Sequence, residues 1–254
     1  TKEAKRFYAM FALIANVALI LAGLMGKYYY QLSLQTPDDP YAQTAIYTAT
    51  SLLISGLATI ILYRWVNVSV LTNPRFYTVD AKNKKPKKKK LKMSISEAFK
   101  FLLTSKYIGM IALLVICYGI SINLIETLWK DQVTTLFKGD KNQIYNFMQN
   151  LAIGTGAFTM VIILFSKGVV QKFGWFNGAI VTPLVILITG ALFFSFVFFS
   201  GYFEPVVAGY GMSVLLAAVW IGTIQNILSK GIKYGLFDPT KEMAYIPLDQ
   251  ESKV

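Results

Sequence analysis

Six uncharged stretches of 18 residues or more dominate this 254-residue sequence: 7–26, 41–63, 108–125, 144–166, 173–203 and 205–229. A bilayer core about 30 Å thick is crossed by about 20 helical residues rising about 1.5 Å each, so every run is long enough to span. The strands of a membrane barrel need only about 9 to 11 residues and alternate polar with apolar positions. These runs do not alternate. An all-α membrane protein with six transmembrane helices is therefore expected. Gly201 and Pro205 punctuate the end of the fifth run and mark a turn before the sixth.

Charge placement is the next constraint. Charged residues are 15% of the chain, against about 25% in an ordinary soluble domain, and 25 Lys and Arg face 13 Asp and Glu. If the six spans alternate, one side of the membrane carries both chain ends, 64–107 and a loop at 167–172, with 21 Lys and Arg. The other side carries 4. By the positive-inside rule both ends face the cytoplasm or its equivalent. Eight of those cations lie in 82–92, KNKKPKKKKLK, where like charges repel and keep the chain extended. Between membrane spans such a tract reads as a linker that fixes topology and meets anionic lipid headgroups, not as a nucleic-acid site. It divides the chain into 1–63, a loop and interfacial helix over 64–107, and 108–254. The interfacial helix is expected from Ala98, Phe99, Leu102 and Leu103 at helical spacing.

With no His and a single Cys, Cys117, the chain cannot make an internal disulfide, a Cys/His zinc site or an imidazole relay. It also lacks GxxxxGK[ST], HExxH and DxDxDG. No cofactor, metal or enzymatic chemistry is expected, and a phosphate would have to be met by scattered lysines.

Polar residues inside membrane helices are costly unless they face protein or water. On the third span Gly119, Asn123, Glu126 and Lys130 recur at 4, 3 and 4 positions and share one face. Glu126 and Lys130 form an i, i+4 pair that suits either a headgroup-level ion pair or a substrate site. The sixth span repeats the pattern with Thr223, Asn226, Lys230 and Lys233, whose lysines either snorkel to lipid phosphate or rim a ligand wall. The first span offers Asn16, Gly23 and Lys27 more sparsely. Thr44, Thr48, Ser51 and Ser55 on the second span suit close helix packing, and the fifth span reads as lipid-facing. Downstream, Asp238 before Pro239 predicts a helix N-cap. With Lys241 it forms a charged turn able to latch helices or gate a pore.

Three stretches carry a resemblance: KRFYAMFALIANVALILAG (5–23), YGISINLIETLWK (118–130) and KYGLFDPTKEMAYIPLDQESKV (233–254). They closely resemble the non-mitochondrial ATP/ADP translocases of obligate intracellular bacteria and plastids, and the likeness extends over essentially the whole chain. The resemblance implies a twelve-span, major-facilitator-like protein in which these six are the fifth to tenth, so the fold here is incomplete. It implies ATP/ADP antiport by alternating access, with ATP and ADP as substrates, in a bacterial inner membrane or plastid inner envelope. A transporter of another nucleotide, NAD or an organic anion on the same fold is the alternative. Glu126 occupies the acidic position of the family's helix-seven motif. Asn123, Lys130, Asn226, Lys230, Lys233, Asn16 and Lys27 are substrate candidates from facing geometry, and Asp238 and Lys241 are candidate gate residues.

Overall fold

A computed structural model describes residues 2–36, 39–73 and 94–245. The Lys-rich stretch 82–92, and with it the expected headgroup contact, lies outside the described residues, as do 246–254.

Six helices long and apolar enough to cross a membrane are present among the described residues, and no strand is. The chain is an all-α integral membrane protein. Helix α1 covers Lys2–Ser33 and α2 covers Pro40–Trp65, extended by a wider π-type turn over Val66–Val70. Asp39 caps α2 by accepting from the Tyr41 N–H, with Pro40 at the first position. Helix α3, Ile95–Thr104, is the expected short helix and leads into α4, Lys106–Leu136. Helix α5 runs Lys141–Phe198 and breaks at Gly174, whose φ of 82° and ψ of 169° are open to glycine almost alone. Its arms are 141–173 and 175–198. Helix α6, Ser200–Ala208, is followed by α7, Val214–Ile232, a π-type segment Lys233–Phe237 and α8, Asp238–Ala244.

Three boundaries differ from expectation. The expected loop at 167–172 is helical, because the reversal is made at Gly174 alone. The fifth span stops at Phe198 and the sixth starts at Val214, since 200–208 forms a separate short helix around Pro205. Asp238 is not an N-cap. It has helical φ and ψ, the chain runs from α7 through the π-type turn into α8 without leaving helical geometry, and its carboxylate is taken by lysines instead.

Contacts between helices fix their directions. Ser33 meets Thr44 at 2.9 Å and Tyr29 meets Ser51 at 2.5 Å, so α1 and α2 run antiparallel. The hydroxyl stripe of α2 is thus used in packing: Thr44 and Ser51 against α1, and Thr48 with Tyr145 of α5 at 3.2 Å. Helix α1 also lies antiparallel on the first arm of α5. A Cβ on Gly23 would stand 2.7 Å from Ile153, one on Gly26 2.5 Å from Gln149, and one on Gly156 2.7 Å from Ile20 and 3.0 Å from the Asn16 carbonyl oxygen. Gly154, Gly231 and Gly235 similarly set α7 and its extension parallel to that arm, against Ile227, Phe158 and Ile162 respectively. Small residues allow this approach where lipid gives no hydrophobic drive between helices.

The core joins α4, α7 and the second arm of α5. Ile125, Trp129 and Val133 of α4 pack with Ile186 and Phe193 of α5 and Val219 of α7. The fifth span is therefore lipid-facing on one side only. Thr182, Ile186 and Phe193 are buried while Leu187, Ile188 and Leu192 are exposed.

Candidate functional site

Helix α4 is held to α7 by Trp129. Its indole N–H donates to the Val219 carbonyl oxygen at 3.1 Å and lies 3.3 Å from the Thr223 hydroxyl. The ring is fully buried, and Gly222 leaves the room it occupies. An apolar-embedded Trp needs a partner for its N–H, and here that partner sets the register of the two helices.

That register carries Glu126, one turn from Trp129, to Lys230. Glu126 accepts from Lys130 at 2.9 Å and lies 3.5 Å from Lys230, with the three side chains 25%, 56% and 31% exposed respectively. Lys130 is a neighbour within α4, whereas Lys230 comes from α7. One carboxylate is thus shared by two ammonium groups, leaving one net positive charge in the trio. Glu126 precedes the end of α4 at Leu136 by about 15 Å of helix and follows its start at Lys106 by about 30 Å. A headgroup-level pair within α4 accounts for Lys130 but not for the ion pair with Lys230.

A third cation stands at similar depth. Lys27 of α1 donates to the Asn150 side-chain oxygen on α5 at 2.9 Å. The parallel packing of α5 on α7, with Gly154 against Ile227 and Phe158 against Gly231, puts Asn150 level with Thr223, the residue beside Trp129. Lys27 and Lys130 therefore stand near the level of Trp129, while Lys230 is rooted seven residues beyond Thr223, about 10 Å further along α7, and reaches back to Glu126.

The other sequence candidates are placed differently. Asn123 is exposed on the Glu126 face and donates to its own helix at Gly119. Asn226 is 1% exposed and Asn16 is 8% exposed, and they donate to Gly222 and Ala12 of their own helices. Both lie within helix packing in this structure. Lys233 does not join Glu126. It bonds Asp238 at 3.1 Å, and Lys241 bonds the other oxygen of the same carboxylate at 3.2 Å. Helix α8 is tied down further by the Trp175 indole donating to the Thr240 carbonyl and the Tyr107 hydroxyl donating to the Ala244 carbonyl. Lys233, Asp238 and Lys241 thus form a second charged cluster, separate from Glu126 and confined to 233–241, while Trp175 and Tyr107 tie α8 to α5 and α4.

Sequence reasoning overlooked Trp129 as a positioning residue. The available signal was a lone Trp within ETLWK, beside two charged residues in a membrane span, whose N–H had to find an acceptor.

Comparison with known proteins bears on what these charged side chains serve. The protein family described as TLC ATP/ADP transporter matches residues 1–254. Over 255 residues the chain is 47% identical to ADP,ATP carrier protein 1 of Chlamydia trachomatis, covering 99% of this chain and 48% of the relative. It is 44% identical to ADP,ATP carrier protein 1 of Rickettsia bellii, covering 100% of the chain and 50% of the relative. Against the chloroplastic ADP,ATP carrier protein 1 of Arabidopsis thaliana it is 45% identical, covering 99% and 39%. The chain spans half or less of the length of these relatives. No solved structure gave a significant match.

Proposed function

Because the chain belongs to the TLC ATP/ADP transporter family, we propose that it forms part of a membrane antiporter exchanging ATP for ADP by alternating access. The observation that carries this reading is the carboxylate of Glu126 shared between Lys130 and Lys230 on two different helices. A nucleotide phosphate needs cations in a low-dielectric site, and unpaired lysines there would be costly before it arrives. Glu126 offsets one of their two charges in the empty state. An arriving phosphate competes for the same ammonium groups, and the released carboxylate changes the contact between α4 and α7. A ligand shifts a conformational equilibrium only through such differential contacts.

In this reading Lys27, Lys130 and Lys230 meet phosphate, Asn123 meets polar groups beside it, and the Asp238, Lys233 and Lys241 cluster serves as a gate. Asn226 and Asn16 contribute through helix packing. The membrane is the bacterial inner membrane or the plastid inner envelope. The split of 21 basic residues against 4 supports both ends on the cytoplasmic side, with the lysines of 82–92 against anionic headgroups.

The test is exchange by the full-length protein in vesicles preloaded with unlabelled nucleotide. Uptake of labelled ATP should depend on internal ADP or ATP and be competed by adenine nucleotides ahead of other nucleotides, NAD and organic anions. Stronger competition by one of those other solutes would assign the site to it instead.

A further inference from the structure

We propose that Trp220 is the platform on which the base of the nucleotide stacks; this deepens the transport reading above and rests on it. Helix α7 is the most enclosed span. Over its most apolar 18 residues 56% are buried, against at most 22% in any other. Trp220 and Ile224, one turn apart, nevertheless remain 52% and 53% exposed. These six spans thus leave half of the indole uncovered on their most enclosed helix, a face on which a flat partner could lie.

Its surroundings hold the ring without covering it. Phe147 of α5 meets Trp220 edge-on, with centroids 6.2 Å apart and planes at 72°. Phe147 is itself fixed between Trp129 at 6.2 Å and Phe137 at 5.5 Å. The indole is thus braced by an aromatic series that ends on the residue setting the register of Glu126. A braced ring stacks with less loss of side-chain freedom than a mobile one.

The spacing suits a molecule with a flat end and an anionic end. Trp220 lies level with Phe147. The next turn, Thr223 and Ile224, lies level with Asn150 and its partner Lys27, and Lys230 follows ten residues after Trp220, about 15 Å along the helix. A nucleoside diphosphate carries an aromatic base at one end and its charge at the other, across a ribose. Stacking accepts any base. Trp220 would therefore supply affinity for the base as a class, while discrimination among bases falls to polar groups elsewhere.

The competing role for a Trp six residues inside a span is an interfacial anchor facing headgroups. Purified full-length protein separates the two when melted in the presence of ADP or of inorganic pyrophosphate, which has the charge and no base. The wild type should be stabilised more by ADP than by pyrophosphate. Trp220→Ala should keep the pyrophosphate shift, lose the extra shift from ADP, and raise KM for ADP in exchange about tenfold. Trp220→Phe should stay within about threefold of wild type, because a smaller aromatic face still stacks. The proposal is overturned if Trp220→Ala retains the advantage of ADP over pyrophosphate. It is equally overturned if the pyrophosphate shift disappears together with the ADP shift, since the indole then supports the fold. A wild type that exchanges no nucleotide and is stabilised by neither ligand would instead remove the transport reading, and stacking with it.

Discussion

Glu126 has two cationic neighbours, and only one of them was implied by spacing. The i, i+4 relation to Lys130 is written into α4, and the pair forms at 2.9 Å. Lys230 is reached through the tertiary contact of Trp129 with α7. Removing the carboxylate leaves two lysines without their counter-charge in a membrane helix pair. Glu126→Gln in the full-length protein should reduce nucleotide exchange at least about tenfold. A double-mutant cycle of Glu126→Gln and Lys230→Gln on thermal stability should give a coupling of about 1 kcal/mol, modest because both side chains are partly open. Unchanged exchange in Glu126→Gln would remove Glu126 from the mechanism. Asn226 and Asn16 mark the opposite limit of sequence reasoning. An amide on a polar stripe has the same signature whether it faces a ligand or turns back to its own helix, and here both turn back.

Helix existence was legible because span length and apolar content are local properties. Helix ends were less so. Glycine 174 has no sequence signal that separates it from Gly168 or Gly178, yet its backbone makes the reversal between the arms of α5. The role of Gly156 likewise depends on what approaches it. Gly156→Val should force α1 away from α5, because the Asn16 carbonyl oxygen cannot yield as a flexible side chain can. A destabilisation of about 1–3 kcal/mol is expected from melting in detergent, and an unchanged melting temperature would show that the helices separate without cost. At the start of α5, outside the membrane spans, Asp140 caps the helix. Its carboxylate accepts from the Gln143 and Asn142 backbone N–H groups and from the Gln143 side chain. The Gln143 hydrogen bonds, backbone first, hold it below the usual Asp range. A carboxyl depressed in the folded state stabilises above its unfolded pKa and loses that contribution as pH falls through its folded pKa. Asp140→Ala should lower thermal stability at neutral pH and narrow its gap to wild type as the pH is taken down through the Asp range. A gap that stays constant with pH would show that the cap contributes no charge-dependent stability.

For the whole molecule, the charge census, the six apolar runs and three distinctive motifs already pointed to a membrane transporter family, and the family match over residues 1–254 agrees. Sequence alone could go that far because hydrophobic length and motif identity depend only on residues near one another in the chain. Helical phase could also say which polar residues share a face. It could not say which faces meet, since that depends on close approach at Gly23, Gly156 and Gly222 and on a single indole hydrogen bond between helices distant in sequence. Only the tertiary structure therefore decided that Lys230 joins Glu126 while Lys233 turns to Asp238. Those two lysines lie three residues apart, within one turn, and the wider π-type turn that begins at Lys233 separates their environments.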